Sequence, residues 1–462
     1  MHWTVLRRFR KRPALSLRWA LVGIAAIGLL LGLAAARNSG KRRVRQSIKQ
    51  QGGDVVVAPV WWSEWTPETL QRWVGLDWFE EIQQISFARD AKVDADSLRS
   101  LAALRGLRQL DLRGCQLSAE ALAAIGGATG LQRLDLSDCD FDPSGLGALG
   151  ALTELQELSL ANTEAEDASL RELADGLATS LQSLDLSGTK ATGKGLGAFE
   201  NLISVDLSGS AANDAGMAGL ASLRNLTTLD LEATDVGDAG LPHLQGLTKL
   251  TMLNLSRTKI TGAGAKSLAP LSGLAELDLS RTALDDRGME PLAGMRGLTT
   301  LSLNSTKIGD RGLAALKDLS SLKELVLDGD DIGDEGMANL VSGTAPLPLT
   351  TLTLNGTRVG DAGLSALAKL TSLTRLELRR TKVADAGLVH LGKATALGEL
   401  DLGGTQIGDP GLVNLAALTV LRWLNLSGTK VGDEGAKALQ QALPATEIVV
   451  PYRAPRRAAT PK

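Results

Sequence analysis

The pattern L-x-x-L-x-L begins at residues 107, 131, 155, 181, 202, 226, 250, 274, 298, 322, 349, 373, 397 and 421. The step is 24 residues except for single steps of 26, 21 and 27. No other feature constrains the fold as tightly. A motif that returns fourteen times at one spacing describes one small structural unit copied along a line, each copy stacking on the last. We number these units 1 to 14 and count positions from the first leucine of each. An irregular copy begins at Ile82, and a closing strand is expected in "EIVV" at 447–450.

Unit 6, "LTTLDLEATDVGDAGLPHLQGLTK", shows the physics of the repeat. Leu229 and Leu231 alternate, which puts both on one face of a short strand. Leu241, Leu244 and Leu247 then recur every third residue, which suits a short helix facing the same interior. Neither segment can bury its apolar side alone. Stacking gives parallel strands on a concave face and short helices on the convex one, each buried leucine contributing roughly 1.5–3 kcal/mol. The composition agrees, because 44% hydrophobic residues with only 3% aromatics means a core of leucine and alanine.

Polar residues keep the same time. Position 13 is aspartate in ten units, among them Asp238, Asp310, Asp334, Asp361, Asp385, Asp409 and Asp433. Lying three residues before the first helical leucine or its equivalent, these are expected to cap their own helices. Position 15 is glycine in twelve units, which predicts close approach between neighbouring turns. Position 9 is mostly threonine, as at Thr234, Thr258, Thr306 and Thr381, and is expected to point inward and satisfy loop backbone groups. Cys115 and Cys139 take this position in units 1 and 2, so they read as buried, reduced ladder residues and not as a disulfide or metal pair.

This array resembles the leucine-rich repeat family over about three quarters of the chain. Its "GDxGL" phrase and the segments "RQSIKQQGGDVVV" and "WWSEWTPETLQRWVGLDWFEE" look like bacterial leucine-rich repeat proteins with one amino-terminal membrane helix. The resemblance implies a curved right-handed α/β horseshoe, preceded by one transmembrane helix, and a role in binding. The repeat is also similar to that of substrate-recognition subunits of ubiquitin ligases, although no adaptor-binding helical module precedes it.

The apolar run from Trp19 to Ala36 follows a basic segment, 1–18, and is itself followed by Arg37, Lys41, Arg42, Arg43, Arg45 and Lys49. It is expected to be a transmembrane helix or signal anchor, with a signal peptide cleaved near Ala34-Ala35-Ala36 as the alternative. Six basic residues on each side balance, so the preferred orientation, with the repeats extracytoplasmic, does not follow from charge. Gly28 and Gly32 have the spacing of a weak helix-dimer contact. Residues 37–81 read as a juxtamembrane linker and a tryptophan-rich cap for a solenoid over 82–450, and 451–462 as a basic Pro/Ala tail. Within the cap, an amphipathic helix, a break at Gly52-Gly53 and a strand at 54–58 are expected, with Trp61, Trp62, Trp65, Trp73 and Trp78 after them.

The net charge of −3 conceals polarisation, since 51–450 holds 33 basic against 52 acidic residues. A body this acidic repels phosphate backbones, which argues against nucleic acid as a partner. Chemistry is also hard to place. The three histidines are His2, His243 and His390, and the last two sit six units apart at about 30 Å. No HExxH, GxxxxGK[ST], CxxC or GxSxG motif occurs in a fitting context, so no enzyme, metal or cofactor is expected.

The strand face remains. Position 5 is acidic in eight units (Asp111, Asp135, Asp185, Asp206, Asp230, Asp278, Glu377 and Asp401), a row that reads equally as a cation or basic-partner surface and as a solvated sheet. Against it stand Arg257, Arg281, Arg375, Arg379, Arg380 and Trp423. Trp and Arg dominate interface hot spots, so these residues with Glu377 and Asp401 are the expected contacts of an unknown protein ligand. Trp423 has a second reading, as a cover for the open end of the solenoid. The functional expectation is a membrane-tethered, non-enzymatic protein-binding scaffold. Its alternative is a structural envelope protein whose acidic array binds cations or matrix polymers.

Overall fold

The computed structural model describes residues 41–59 and 80–450. The expected membrane helix at 19–36, Gly28 and Gly32, the five tryptophans at 61–78 and the tail at 451–462 lie outside the described residues. Among the described residues, no helix is long and apolar enough to cross a membrane.

Seventeen strands form one sheet. Strand β1 (Asp54–Pro59) pairs antiparallel with β2 (Glu80–Ser86), and every later pairing is parallel. The repeat strands are three residues long and in perfect register, so that Leu110, Leu134 and Leu158 stand side by side. Each of these leucines is 2% exposed. A helix over 41–50 buries Val44 and Ile48 against the first turn, and Ser47 and Gln51 bond to Ser97 of the next helix. The described part of the linker is therefore built into the amino-terminal end of the sheet. At the other end, the last strand (Glu447–Val449) pairs with the strand Trp423–Asn425. Trp423 consequently has a strand on both sides, and does not cover the end.

The helical side alternates between short α-helices, such as Asp361–Leu367, and 3-10 turns, such as Leu241–Leu244. Apolar residues spaced by three match the 3.0-residue period of the tighter helix, which explains the mixture.

The position-13 aspartates do not cap their own helices. Asp334, Asp361, Asp409 and Asp433 are the first helical residues, each preceded by a glycine cap, and Asp385 likewise follows Ala384. In units 6 and 9, Asp238 and Asp310 lie before the 3-10 turns, whose cap positions are Gly240 and Arg311. Their carboxylates reach forward one unit instead. Asp310 Oδ1 accepts from Gly333 N–H at 2.6 Å and Gly336 N–H at 3.0 Å, and Asp334 Oδ1 does the same to Gly360 and Gly363. Asp238 takes Thr261 N–H and Oγ1–H, Asp361 takes Ala384 N–H, Asp385 takes Gly408 N–H and Asp409 takes Gly432 N–H. Each unit with aspartate at position 13 and a repeat after it thus caps its successor. Asp433, in unit 14, has no following repeat to cap.

The same contact explains position 15. A Cβ built on Gly240 would stand 2.7 Å from Asp214 Oδ1, and one on Gly336 would stand 2.6 Å from Asp310 Oδ1. The close approach is to the preceding aspartate, so Asp and Gly form one device shared between two units.

Position 9 forms the inward ladder. Thr234, Thr258 and Thr381 each donate Oγ1–H to the carbonyl three residues earlier at 2.6–2.7 Å. Cys139 donates to Leu112 O at 3.0 Å, and Cys115 points to Ala88 O at 3.7 Å. Both thiols are free and buried. Thr306 keeps part of its expected role, its Oγ1 accepting Ile308 N–H at 3.3 Å, but turns both its N–H and its hydroxyl to Asp330 Oδ1 of unit 10.

Candidate functional site

Four positions of a unit lie on the strand side, 3 and 5 on the strand and 7 and 8 in the turn after it, with Ser256, Ser280, Thr353, Asp401 and Asn425 among them buried. Strands about 4.8 Å apart beside bulkier helices make this face concave. Position 5 is committed to the turn. Asp111, Asp135, Asp185, Asp206, Asp230, Asp278 and Asp401 each accept the N–H two residues on, at 2.8–3.0 Å. Asn254 and Asn425 make the same bond. This is the Asx turn that makes Asp and Asn interchangeable here. The acidic row has a local cause, with one oxygen of each aspartate already occupied. Glu377, one carbon longer, instead accepts Asn355 Nδ2–H at 2.8 Å.

The candidate contact residues fall into two groups. Arg257 and Arg281 occupy position 8 of units 7 and 8, while Arg375, Glu377, Arg379, Arg380, Asp401 and Trp423 lie in units 12 to 14. Three units lie between the groups, so one small ligand does not span them. In the second group, Arg375 pairs with Glu399 at 2.6 Å and Arg379 Nε lies 3.7 Å from Asp401 Oδ2. Asp401 is 4% exposed and also accepts Asn425 Nδ2–H at 2.9 Å, so it belongs to the framework.

Position 8 is left-handed in all fourteen units, with glycine in seven of them. Arg257, Arg281 and Arg380 hold φ of 57°, 57° and 54° there. A side chain in this conformation costs roughly 1–2 kcal/mol that glycine avoids. Arg257 is 3.5 Å from Glu232, whereas no ion pair holds Arg281 or Arg380 among the described residues.

Two features escaped the reading of the sequence. Asn355 connects the second group to unit 10, since its N–H and Nδ2–H bond to Asp328 and its Oδ1 accepts Arg379 N–H at 2.8 Å. Asparagine gave no charge signal. There is also a groove of about 280 Å³ over the first strands, lined by Gln109, Arg133 and Glu157 on one wall and Asp111, Asp135 and Asp185 on the other. Its cation Arg133 is paired with Glu157 at 2.9 Å, and its Asp135 with Arg113 from outside the lining at 2.5 Å. Burial pushes the Asp135 carboxyl up, but the Ser137 bonds and Arg113 outweigh it and hold it below the usual range. At Asp230, burial prevails, aided by Asp206 and Glu232, and the carboxyl is raised.

His243 and His390 are half-buried on separate helical turns, and Asp238 faces Thr261, not His243. No group of three or more His, Cys, Asp or Glu suited to a metal ion occurs among the described residues.

Two family models, both described as leucine-rich repeat, match this chain. One covers 224–284, and the other covers 105–126, 129–150, 296–317, 347–368, 395–416 and 417–439. The array is built of leucine-rich repeats. Solved leucine-rich repeat structures share its fold. An internalin of Listeria monocytogenes is 22% identical, with a TM-score of 0.51 over 74% of this chain and 86% of its own. A leucine-rich repeat protein of Leptospira interrogans is 20% identical, with a TM-score of 0.52 over 78% of this chain and 100% of its own. The mouse RP105/MD-1 complex matches at 18% identity and 0.52 over 75% of this chain and 67% of that one. No curated protein matches the chain.

Proposed function

We propose that this protein is a membrane-tethered, non-enzymatic scaffold that binds a protein partner on the concave face of its leucine-rich repeats. The observation that carries this reading is the set of arginines at position 8. Half the units use glycine at this left-handed position, yet Arg257, Arg281 and Arg380 place exposed guanidinium groups there, Arg281 and Arg380 without an ion pair among the described residues. A backbone cost retained at a surface position is more readily explained by recognition than by stability. Trp423, half-exposed on its strand, supplies an aromatic anchor in the same group as Arg380. The RP105/MD-1 complex is a case in which the same fold is found with a protein partner. The tether is the apolar run 19–36, with the repeats on the extracytoplasmic side as the preferred orientation.

The cation-binding alternative is disfavoured by the Asx turns, because each aspartate of the row gives one oxygen to its own backbone. The test is affinity capture from the native membrane fraction with the detergent-solubilised full chain. A partner retained by the wild type and lost from the Trp423→Ala, Arg380→Ala double variant supports the proposal. Capture that follows ionic strength alone and ignores the two substitutions refutes it. Protease accessibility of the repeats in intact cells reads the orientation.

A further inference from the structure

In the ladder at position 9, thirteen units carry Thr, Ser or Cys and unit 10 carries Asp330. Asp330 is 3% exposed. Its Oδ1 accepts Thr306 N–H at 2.7 Å and Thr306 Oγ1–H at 3.0 Å. Its Oδ2 is buried without a partner. The hydroxyls of its counterparts, Thr357 and Thr381 among them, donate to the carbonyl three residues earlier. For Asp330 that carbonyl is Leu327 O, which no N–H or O–H reaches among the described residues. A buried acceptor without a donor thus occurs at the ladder position where Thr357 and Thr381 supply a donor. One proton on Oδ2 answers both deficits: it removes a buried charge and gives the ladder its missing O–H.

We propose that Asp330 is a pH-operated latch, carried as the neutral carboxylic acid in the closed array, whose ionisation loosens the junction of units 9, 10 and 11. The surroundings favour the neutral form. Burial raises the Asp330 carboxyl from its usual 3.8 to about 7, the Thr306 bonds oppose this, and the Asp328 carboxylate adds to it. The other charged groups of the adjoining loops, Lys307, Asp331 and Arg358, are exposed, and Arg358 is engaged by Asp331. No cation therefore compensates an ionised Asp330 among the described residues. The latch also has a defined place in the array. Unit 10 is the longest repeat, and its Asp328 holds Asn355, which links to Arg379.

Because the carboxyl is raised on folding, its contribution is complete below about 3.8 and is lost as pH rises through about 7. The rise corresponds to up to roughly a thousandfold in the local opening equilibrium. The experiment is hydrogen exchange by mass spectrometry on the full chain in detergent, corrected for intrinsic rates, between pH 4.5 and 8.5. Protection over 303–332 is expected to fall with pH in the wild type. It should stay level in Asp330→Thr, which restores the ladder residue, and in Asp330→Asn, which cannot ionise. Protection over 397–426, three units from the latch, serves as the internal reference. The same slope over 303–332 in all three proteins, or a level wild type, overturns the proposal. If Asp330→Thr fails to fold, Asp330→Asn against wild type decides on the same criterion.

Discussion

Replacing Gly240 by alanine tests whether Asp and Gly of adjacent units act as one device. The new Cβ would stand 2.7 Å from Asp214 Oδ1, 2.9 Å from Met217 Cγ and 3.2 Å from the Asp214 Cα. Met217 is an adaptable side chain, so the carboxylate is the group that must move. Moving it breaks the 2.6 Å bond from Gly237 N–H. A hydrogen bond to a charged group contributes about 1.5–3 kcal/mol. Overpacking adds about 1–3 kcal/mol, part of it relieved by the movement itself. We expect Gly240→Ala to destabilise by about 2–4 kcal/mol and Asp214→Ala by about 1.5–3 kcal/mol. The double variant should cost little more than Asp214→Ala alone, because the methyl group then occupies the space the carboxylate left. Gly294, where a Cβ would meet nothing within 4 Å, is the control. Gly294→Ala should be neutral or stabilise by up to about 1 kcal/mol, through the unfolded chain. Urea unfolding of the four variants, compared at unchanged slope, measures all of this. Additive costs for Gly240→Ala and Asp214→Ala, or equal costs for Gly240→Ala and Gly294→Ala, would refute the coupling.

Two further outcomes follow from the site. Burial raises the thiols of Cys115 to about 11 and Cys139 to about 12, so neither should react with a thiol reagent at pH 8 until denaturant is added. Two equivalents should then appear without reductant; fewer would show that a disulfide forms. Arg281→Gly relieves a left-handed side chain, and should raise stability by up to about 1 kcal/mol while weakening partner capture. Unchanged capture would remove Arg281 from the ligand face.

The period, the strands and the core leucines were legible because stacking forces one solution on every unit. Leu229, Leu231, Leu241 and Leu244 are all 0% exposed, as their spacing implies. The aspartates were harder. Asp238 carries the correct residue type at a helix entrance, and counting along one unit places its carboxylate on its own helix. Its true partner, Thr261, is 23 residues away, at a distance set by stacking, not by local spacing. The same limit concealed Asn355 and Asp328, whose connection crosses 27 residues of the longest repeat. Asp330 was visible as an exception to the threonine column, but its orphaned oxygen depends on burial. Arg257 and Arg281 were singled out for charge and residue type alone. That both are left-handed emerges only from the backbone, and it is the stronger reason to notice them.

The division of labour within a unit narrows where specificity can reside. Position 9 serves the interior ladder, position 13 the next unit, and position 5 the Asx turn. A substitution at any of these removes a bond that the array uses repeatedly, so they are poor places to vary for a ligand. Position 2 is also engaged, since Thr227, Thr251 and Thr374 each donate to the carbonyl of the same position one unit back. Positions 3, 7 and 8 are left. They hold Arg375 and Trp423, Arg379, and Arg257, Arg281 and Arg380 respectively. Asp401 and Glu377, at position 5, drop from the contact set to the framework. The distinction has a measurable form. Asp401→Ala should cost about 2–3 kcal/mol of stability, because Gly403 N–H and Asn425 Nδ2–H lose a buried charged acceptor. Arg375→Ala breaks an exposed pair and should cost less than about 1 kcal/mol. Partner capture should respond in the opposite order, failing for Arg375→Ala and surviving for Asp401→Ala wherever the array remains folded. The reverse order would place recognition on the acidic row after all.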